Sequence, residues 1–344
     1  LAVGIEFDQA RITAVLLDEN ARLIAERQTE TPQRTTRATV AALSKSVLEL
    51  AASKERGDSP IIAIGLAVPG VIDPPSGRVT IVGMKGWTRV PLSQMLEESL
   101  DESGHDIRTP IHEKRARAQH TVSAHPLITI HSRVAANAAA ESWHGAARGK
   151  TSVVYLSIGA EFEVGILANG RPLMGASGNA GAAGWMAVGE NFRDEYETNG
   201  CLAAEAAIKA ITRRAIEGWD GQTNSMLSSV IQQDVSQLDA ATVIRAARGG
   251  DKLAVKVIGD TCRWIGRGVA NLISTLNPEV VVIGGELGLP LKAFLDDVRE
   301  ESRRWAAPEA ARQCRIVSAT VGEKAAVIGA ARLALTQALP KEGK

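Results

Sequence analysis

The sequence predicts an α/β protein made of two similar lobes with a ligand cleft between them, and three observations predict it. Strand-like and helix-like runs alternate along the 344 residues. An order of hairpin, helix and buried strand near the start recurs in the second half. The composition, 45% apolar and 23% charged, supplies interior for two cores, more than one small domain would use.

Residues 1–28 alternate apolar and polar, LAVGIEF and then RITAVLLDENARLIAERQ, which is the period of strands. A tight turn at Asp18, Glu19 and Asn20 joins them, so a β-hairpin opens the chain. Over 36–53 the residues Val40, Leu43, Val47, Leu48 and Leu50 recur at helical spacing; 61–68 then reads as a buried strand that Pro69 and Gly70 stop. Strand, helix and strand in that order imply parallel pairing. In the second copy of the scheme, 151–158 and 163–167 read as hairpin strands and 202–217 and 239–276 as long helices. VVVIGG at 280–285 reads as a buried strand entering a glycine turn. A last helix covers 324–338, and the tail 340–344 is expected to fray.

Between 102 and 125 the pattern gives way to ESGHDIRTPIHEKRARAQHTVSAH, polar and basic in its middle, which reads as an inserted loop. His105, His112, His120 and His125 fall here at spacings that fit no tight metal motif, and Arg115 and Arg117 offer a DNA contact as the other alternative to a solvated loop. Thirty-nine basic residues balance thirty-nine acidic ones, so no global field draws the chain to nucleic acid or an anionic membrane. The longest apolar runs, 153–158 and 280–283, are too short to span a bilayer, and no basic-then-apolar leader opens the sequence, which places the protein in the cytoplasm. Cys201, Cys262 and Cys314 lie far apart and form neither a CxxC pair nor a disulfide framework. Half of the few aromatic residues are tryptophans, at 87, 143, 185, 219, 264 and 305; each must be packed or placed for a ligand.

Several short stretches then share an order and spacing: GLAVPGVID at 65–73, GWTRVPL at 86–92, NGRPLMGASGNAG at 169–181, GCL at 200–202, NPEVVVIGG at 277–285 and AAVIGAA at 325–331. In these the chain resembles the ROK family of repressors and sugar kinases across nearly its whole length. The resemblance implies an actin-like, hexokinase-like (ribonuclease H-like) fold. It also implies an N-terminal lobe over 1–128 with helix 324–338 packed back on it, and a C-terminal lobe over 129–323.

The resemblance makes the departures informative. Family kinases open with an Asp followed by Gly-Gly-Thr-Lys, a turn whose bare backbone lets ATP phosphates approach its N–H groups. Here the corresponding run is Gly4 to Gln9, with Gly4 in place of the metal-associated acid and a carboxylate and a ring where no side chain is needed. The second, Gly-rich phosphate loop reads Gly159, Ala160, Glu161, Phe162, Glu163, Val164, Gly165. Gly284 and Gly285 resemble the adenosine-side turn, which the fold alone equally explains. The Asn-Asp pair that carries the kinases' catalytic base matches Ser132 and Arg133, counted back from Glu141. A guanidinium has no lone pair and stays charged, so Arg133 is no base and no catalytic residue is expected. The family's sugar-binding Glu and zinc-orienting His match Ala182 and Trp185. Of the CxCGxxGC run only Cys201 survives, so neither metal nor cofactor is expected.

These departures favour a regulator's effector-sensing domain that has lost sugar kinase activity. The alternatives are an ATP-dependent kinase with atypical motifs and a ligand-free interaction protein. The candidate ligand contacts are Ser132, Arg133, Asn137, Asn179 and Trp185, for a small sugar or an anionic effector. The competing reading has Arg133 paired internally with Glu141, Glu161 or Glu163 and Trp185 filling the cleft. Family repressors reach DNA through an N-terminal helix-turn-helix, which this chain, starting in a strand, does not contain. By the same analogy it forms a homodimer.

Overall fold

The computed structural model describes residues 1–32, 35–57, 59–103, 126–221 and 225–339. The insertion expected at 102–125, with its four histidines, Arg115 and Arg117, lies outside the described residues from position 104 onward, as does the tail from 340. The chain divides into two compact units, one of residues 1–149, 171–180 and 321–344, the other of 150–170 and 181–320.

The first unit contains β1 (Ala2–Phe7), β2 (Arg11–Leu17), β3 (Leu23–Glu30), α1 (Thr36–Ala51), β4 (Ala63–Val68), β5 (Val71–Ile72), β6 (Val79–Thr80), α2 (Leu92–Glu102), β7 (Leu127–Ser132) and α3 (Arg133–His144). Its sheet has the order β3-β2-β1-β4-β7, antiparallel among the first three strands and parallel from β1 through β7. The opening alternation is therefore three strands with two turns. Asp18 Oδ1 accepts the N–H groups of Asn20 and Arg22 in the second turn, and the first lies at Asp8 to Ala10. Thr35 caps α1 by accepting from Ala38 N at 3.1 Å. Trp87, from GWTRVPL, is 2% exposed and packs on Phe7 with ring centroids 5.0 Å apart.

The division falls after Gly149 rather than after residue 128, for two physical reasons. β7 completes the first sheet by pairing with β4, Leu127 opposite Ala63 through Ser132 opposite Val68. The helix that follows β7, α3, packs against the chain's last helix.

In the second unit lie β8 (Val153–Ile158) and β9 (Phe162–Ala168); the two-residue β10 (Arg171–Pro172) belongs to the first. Then come α4 (Tyr196–Asn199), α5 (Cys201–Ala206), α6 (Ile208–Glu217), α7 (Ser228–Gln233), α8 (Ala240–Arg248), α9 (Lys252–Leu276), β11 (Val280–Gly284), α10 (Leu295–Trp305), α11 (Pro308–Gln313) and β12 (Arg315–Ser318). An antiparallel pair β8–β9 followed by parallel β11 and β12 repeats the pairing scheme of the first sheet. Two of the expected long helices are broken. Ile208 N donates to Gly159 O instead of continuing α5, and the 240–276 stretch stops at Gly249 and Gly250 (φ +83°), after which Asp251 caps α9 by accepting from Ala254 N. Cys262, inside α9, and Cys314 are unpaired thiols that burial pushes up to about 12 and about 11. Among the described residues no helix is long and apolar enough to cross a membrane.

The last helix, α12 (Ala325–Ala338), returns to the first unit and packs on β1, β4 and α3. Its Ala- and Gly-rich sequence permits backbone contact. A Cβ on Gly4 of β1 would lie 1.9 Å from Val327 O, one on Gly65 of β4 1.9 Å from Ala330 O, and one on Gly329 1.7 Å from Ala136 O of α3. Gly65→Ala is accordingly expected to lower unfolding free energy by about 3 kcal/mol through overpacking. In α9, by contrast, a Cβ on Gly259 would meet only Arg263 Nη1 at 3.9 Å, so Gly259→Ala is expected to raise stability by about 0.5–1 kcal/mol. Urea denaturation of both variants checks the pair.

Candidate functional site

Both turns that the resemblance assigns to phosphate lie in the structure, and in both several N–H groups already have acceptors from the chain itself. Gly4 is not part of the first turn. It sits in mid-strand against Val327 O, so the expectation that it replaces an acid in the turn is corrected: no side chain fits there. Phe7 likewise turns into the core on Trp87. The turn begins at Asp8, whose Oδ1 accepts from Ala10 N at 2.7 Å and Arg11 N at 2.8 Å. A carboxylate therefore occupies the donors that a phosphate oxygen would need.

In the second unit, Gly159 N donates to Glu161 O at 3.0 Å, Leu287 N to Ile158 O at 2.9 Å, and Gly285 N to Tyr155 OH at 3.3 Å. A Cβ on Gly159 would lie 2.9 Å from Glu286 Oε1, so this carboxylate stands over the loop beside the exposed Glu161. Glu286 escaped the sequence analysis because it follows the glycine turn rather than the loop that it covers. Phosphates would meet like charge here at short range, and the residues present do not fit a nucleotide's phosphates.

The strand-to-helix junction β7–α3 carries three of the predicted residues. Ser132 ends β7 and caps α3, its Oγ accepting from Ala135 N at 3.4 Å; Arg133 is the first helical residue, and Asn137 follows one turn later. Arg133 acts on Glu6, near the end of β1. Burial raises the Glu6 pKa and Asp8 adds to the rise, while Arg133 and Arg11 oppose it. Glu141, at the other end of α3, is fully buried and accepts from Ala146 N at 2.7 Å and Val321 N at 2.9 Å, which pins the start of the segment leading to α12.

A small cavity of about 20 Å³ opens beside Ser132, lined by Ile72, His131, Ala135, Met174 and Gly178 among others. It holds about one water. Gly178 closes on it, since a Cβ there would lie 1.9 Å from Ile72 O. Asn179, next in sequence, is exposed and donates to Ser177 O and Oγ at 3.4 and 3.2 Å. Ser132 and the 172–180 loop thus meet at one place in the first unit. Trp185 belongs to the second unit, where it ends a short 3₁₀ turn and is 59% exposed. Cys201 accepts from Val188 N at 3.5 Å. With Trp185 at the position of the family's His and Ala182 at that of its Glu, one sulfur is left for a zinc site, and the donor set does not fit the metal. Among the described residues no group of three or more His, Cys, Asp or Glu side chains is placed to hold a metal ion.

His131 is a second residue, after Glu286, that sequence analysis missed. It is 6% exposed and bonds Thr129 Oγ1 at 3.0 Å through Nε2. The signal was the alternation in LITIHS, which puts Thr129 and His131 on the same buried face.

Comparison with known proteins follows the whole chain. A sequence profile described as the ROK family matches residues 2–131 and 125–337. The chain is 29% identical over 276 residues to a glucokinase of Halalkalibacterium halodurans, covering 80% of this chain and 76% of that protein. It is 27% identical over 246 residues to a xylose repressor of Caldicellulosiruptor bescii, covering 70% of this chain but only 54% of the repressor. Among solved structures, a ROK hexokinase from Thermus thermophilus has a TM-score of 0.74 at 25% identity, with 98% of each chain covered.

Burial lowers the His131 pKa from 6.5 to about 4. The unfolded chain therefore binds a proton in that window that the folded chain refuses, and stability present above pH 6.5 is lost as pH falls toward 4, by roughly 3 kcal/mol at most. His131→Gln is expected to flatten this slope, as unfolding free energies measured between pH 7 and 4 would reveal.

Proposed function

The chain belongs to the ROK family, with its actin-like, hexokinase-like α/β fold, and from that premise we propose that it is the effector-sensing body of a transcriptional regulator and does not transfer phosphate. The observation that carries this reading is the Asp8 carboxylate bonded to the N–H groups of Ala10 and Arg11. A turn that already holds its own anion on two of its N–H groups offers fewer donors to ATP, and meets the phosphates with like charge. Arg133 adds the second difficulty. A sugar hydroxyl must lose its proton to attack phosphorus, and a guanidinium takes none; loss of a positioned base alone lowers rate by about 10²- to 10⁴-fold.

The ligand of such a body is a small sugar-like or anionic effector. Arg133 presents a planar cation at the first turn of α3, suited to a carboxylate or phosphate, and Ser132, Asn137 and Asn179 are the remaining proposed contacts in the first unit; Trp185, in the second, is a separate proposed contact. DNA in this reading is contacted by a helix-turn-helix beyond the 344 residues, and the body works as a homodimer, both by analogy with family repressors. A sugar kinase is the second reading, and the glucokinase likeness is what favours it.

Purified protein is expected to release no ADP from ATP with any hexose, and to shift its melting temperature by a few degrees with a sugar acid or sugar phosphate near a hundredfold excess over Kd. Arg133→Ala should abolish the shift. Hexose-dependent ADP release that disappears in Arg133→Ala would establish the kinase instead, and silence toward every sugar and anion would leave an interaction protein.

A further inference from the structure

The second unit contains a further group of charges, centred on α5 and α6. Glu205 of α5 is 4% exposed. Its Oε1 accepts from Arg193 Nη1 at 2.6 Å and Tyr196 OH at 2.8 Å; its Oε2 accepts from Arg214 Nη2 at 2.6 Å and Arg213 Nη2 at 3.2 Å. Arg193 and Arg213 also reach Glu195, and Arg214 Nη1 reaches Thr261 Oγ1 of α9 at 3.1 Å. Burial, with the bond to Glu205, pushes the Tyr196 hydroxyl up to about 12.

The donors come from two separate places. Arg213 and Arg214 project from α6, a regular helix packed on α8 and α9. Arg193 and Tyr196 lie on the stretch 186–200, whose one helix, α4, is four residues long and whose Phe192 is 71% exposed. Apolar packing anchors the start of that stretch, where Met186 and Val188 lie against the main core of the unit, while from 189 to 200 the buried apolar contact is that of Tyr196 with Cys201 and Ala204. A buried carboxylate is tolerable only when its charge is met and its lone pairs are filled. Arg213 and Arg214 of α6 meet the charge at Oε2, but Oε1 has its two donors only while the 186–200 stretch stays in place.

We propose that Glu205 is a positioning residue that seats segment 186–200 on the second unit, a clamp built from side-chain charge where the donor set left by Cys201 does not fit a metal. Trp185 leads directly into this segment, so the clamp also sets where that exposed ring is presented. The proposal is independent of the regulator reading, since the same clamp would serve a kinase.

Hydrogen exchange of the full chain, followed by mass spectrometry, tests it. In Glu205→Gln, amides of 186–200 are expected to exchange at least about tenfold faster while those of β8 and β11 keep their rates. The melting temperature should fall by on the order of 10 °C, because guanidiniums are left facing one another. Arg193→Gln removes a half-exposed partner and is expected to fold and to loosen the same segment by less; it decides the matter if Glu205→Gln does not fold. Wild-type protein should exchange identically with EDTA and with added zinc. Unchanged exchange over 186–200 in the variants, or loosening of the wild type by EDTA, would overturn the clamp.

Discussion

The carbonyl oxygens of Val327 and Ala330 lie against β1 and β4 where those strands carry no side chain, and the first unit is organised around this contact. Gly4 and Gly65 let the helix down onto the sheet, and Gly329 lets Ala136 of α3 down onto the helix. Glu141 fixes where the arrangement starts by holding the N–H of Val321. Because α3 is positioned by α12, so are Ser132 and Arg133 at its first turn. The chemistry at the β7–α3 junction thus rests on glycines in other elements.

Much of this architecture is legible in the sequence. Strands β1, β2, β4, β8 and β11 follow from alternation or from short apolar runs, and α1 and α9 from helical spacing, because one-sided burial imposes those periods. What escapes are the breaks. The α5–α6 interruption depends on Gly159 accepting from Ile208, a bond between residues far apart in sequence. The boundary between units depends on β7 finding β4, which alternation cannot foretell.

The candidate site was legible to the extent that its chemistry is local. Arg133 could be found by counting from Glu141, and the carboxylates of the two turns stand in plain view. Spacing cannot tell a turn residue from a mid-strand one, which is why Gly4 read as a vacated acid and is instead a helix contact. Glu6 beside Arg133, Glu286 over Gly159 and the four donors on Glu205 all join distant residues. Such pairings follow from tertiary structure and leave no periodic trace.

Placing α12 so far behind β1 and β4 in sequence has a consequence for biosynthesis. The surface that receives Val327 and Ala330 leaves the ribosome well ahead of its cover, since β4 ends at Val68 and α12 begins at Ala325. At about 5–20 residues per second, that surface stays bare for on the order of tens of seconds. The second unit, continuous in sequence except for 171–180, is complete sooner. The first unit is therefore the later of the two to mature, and the interval is when a holding chaperone would matter most.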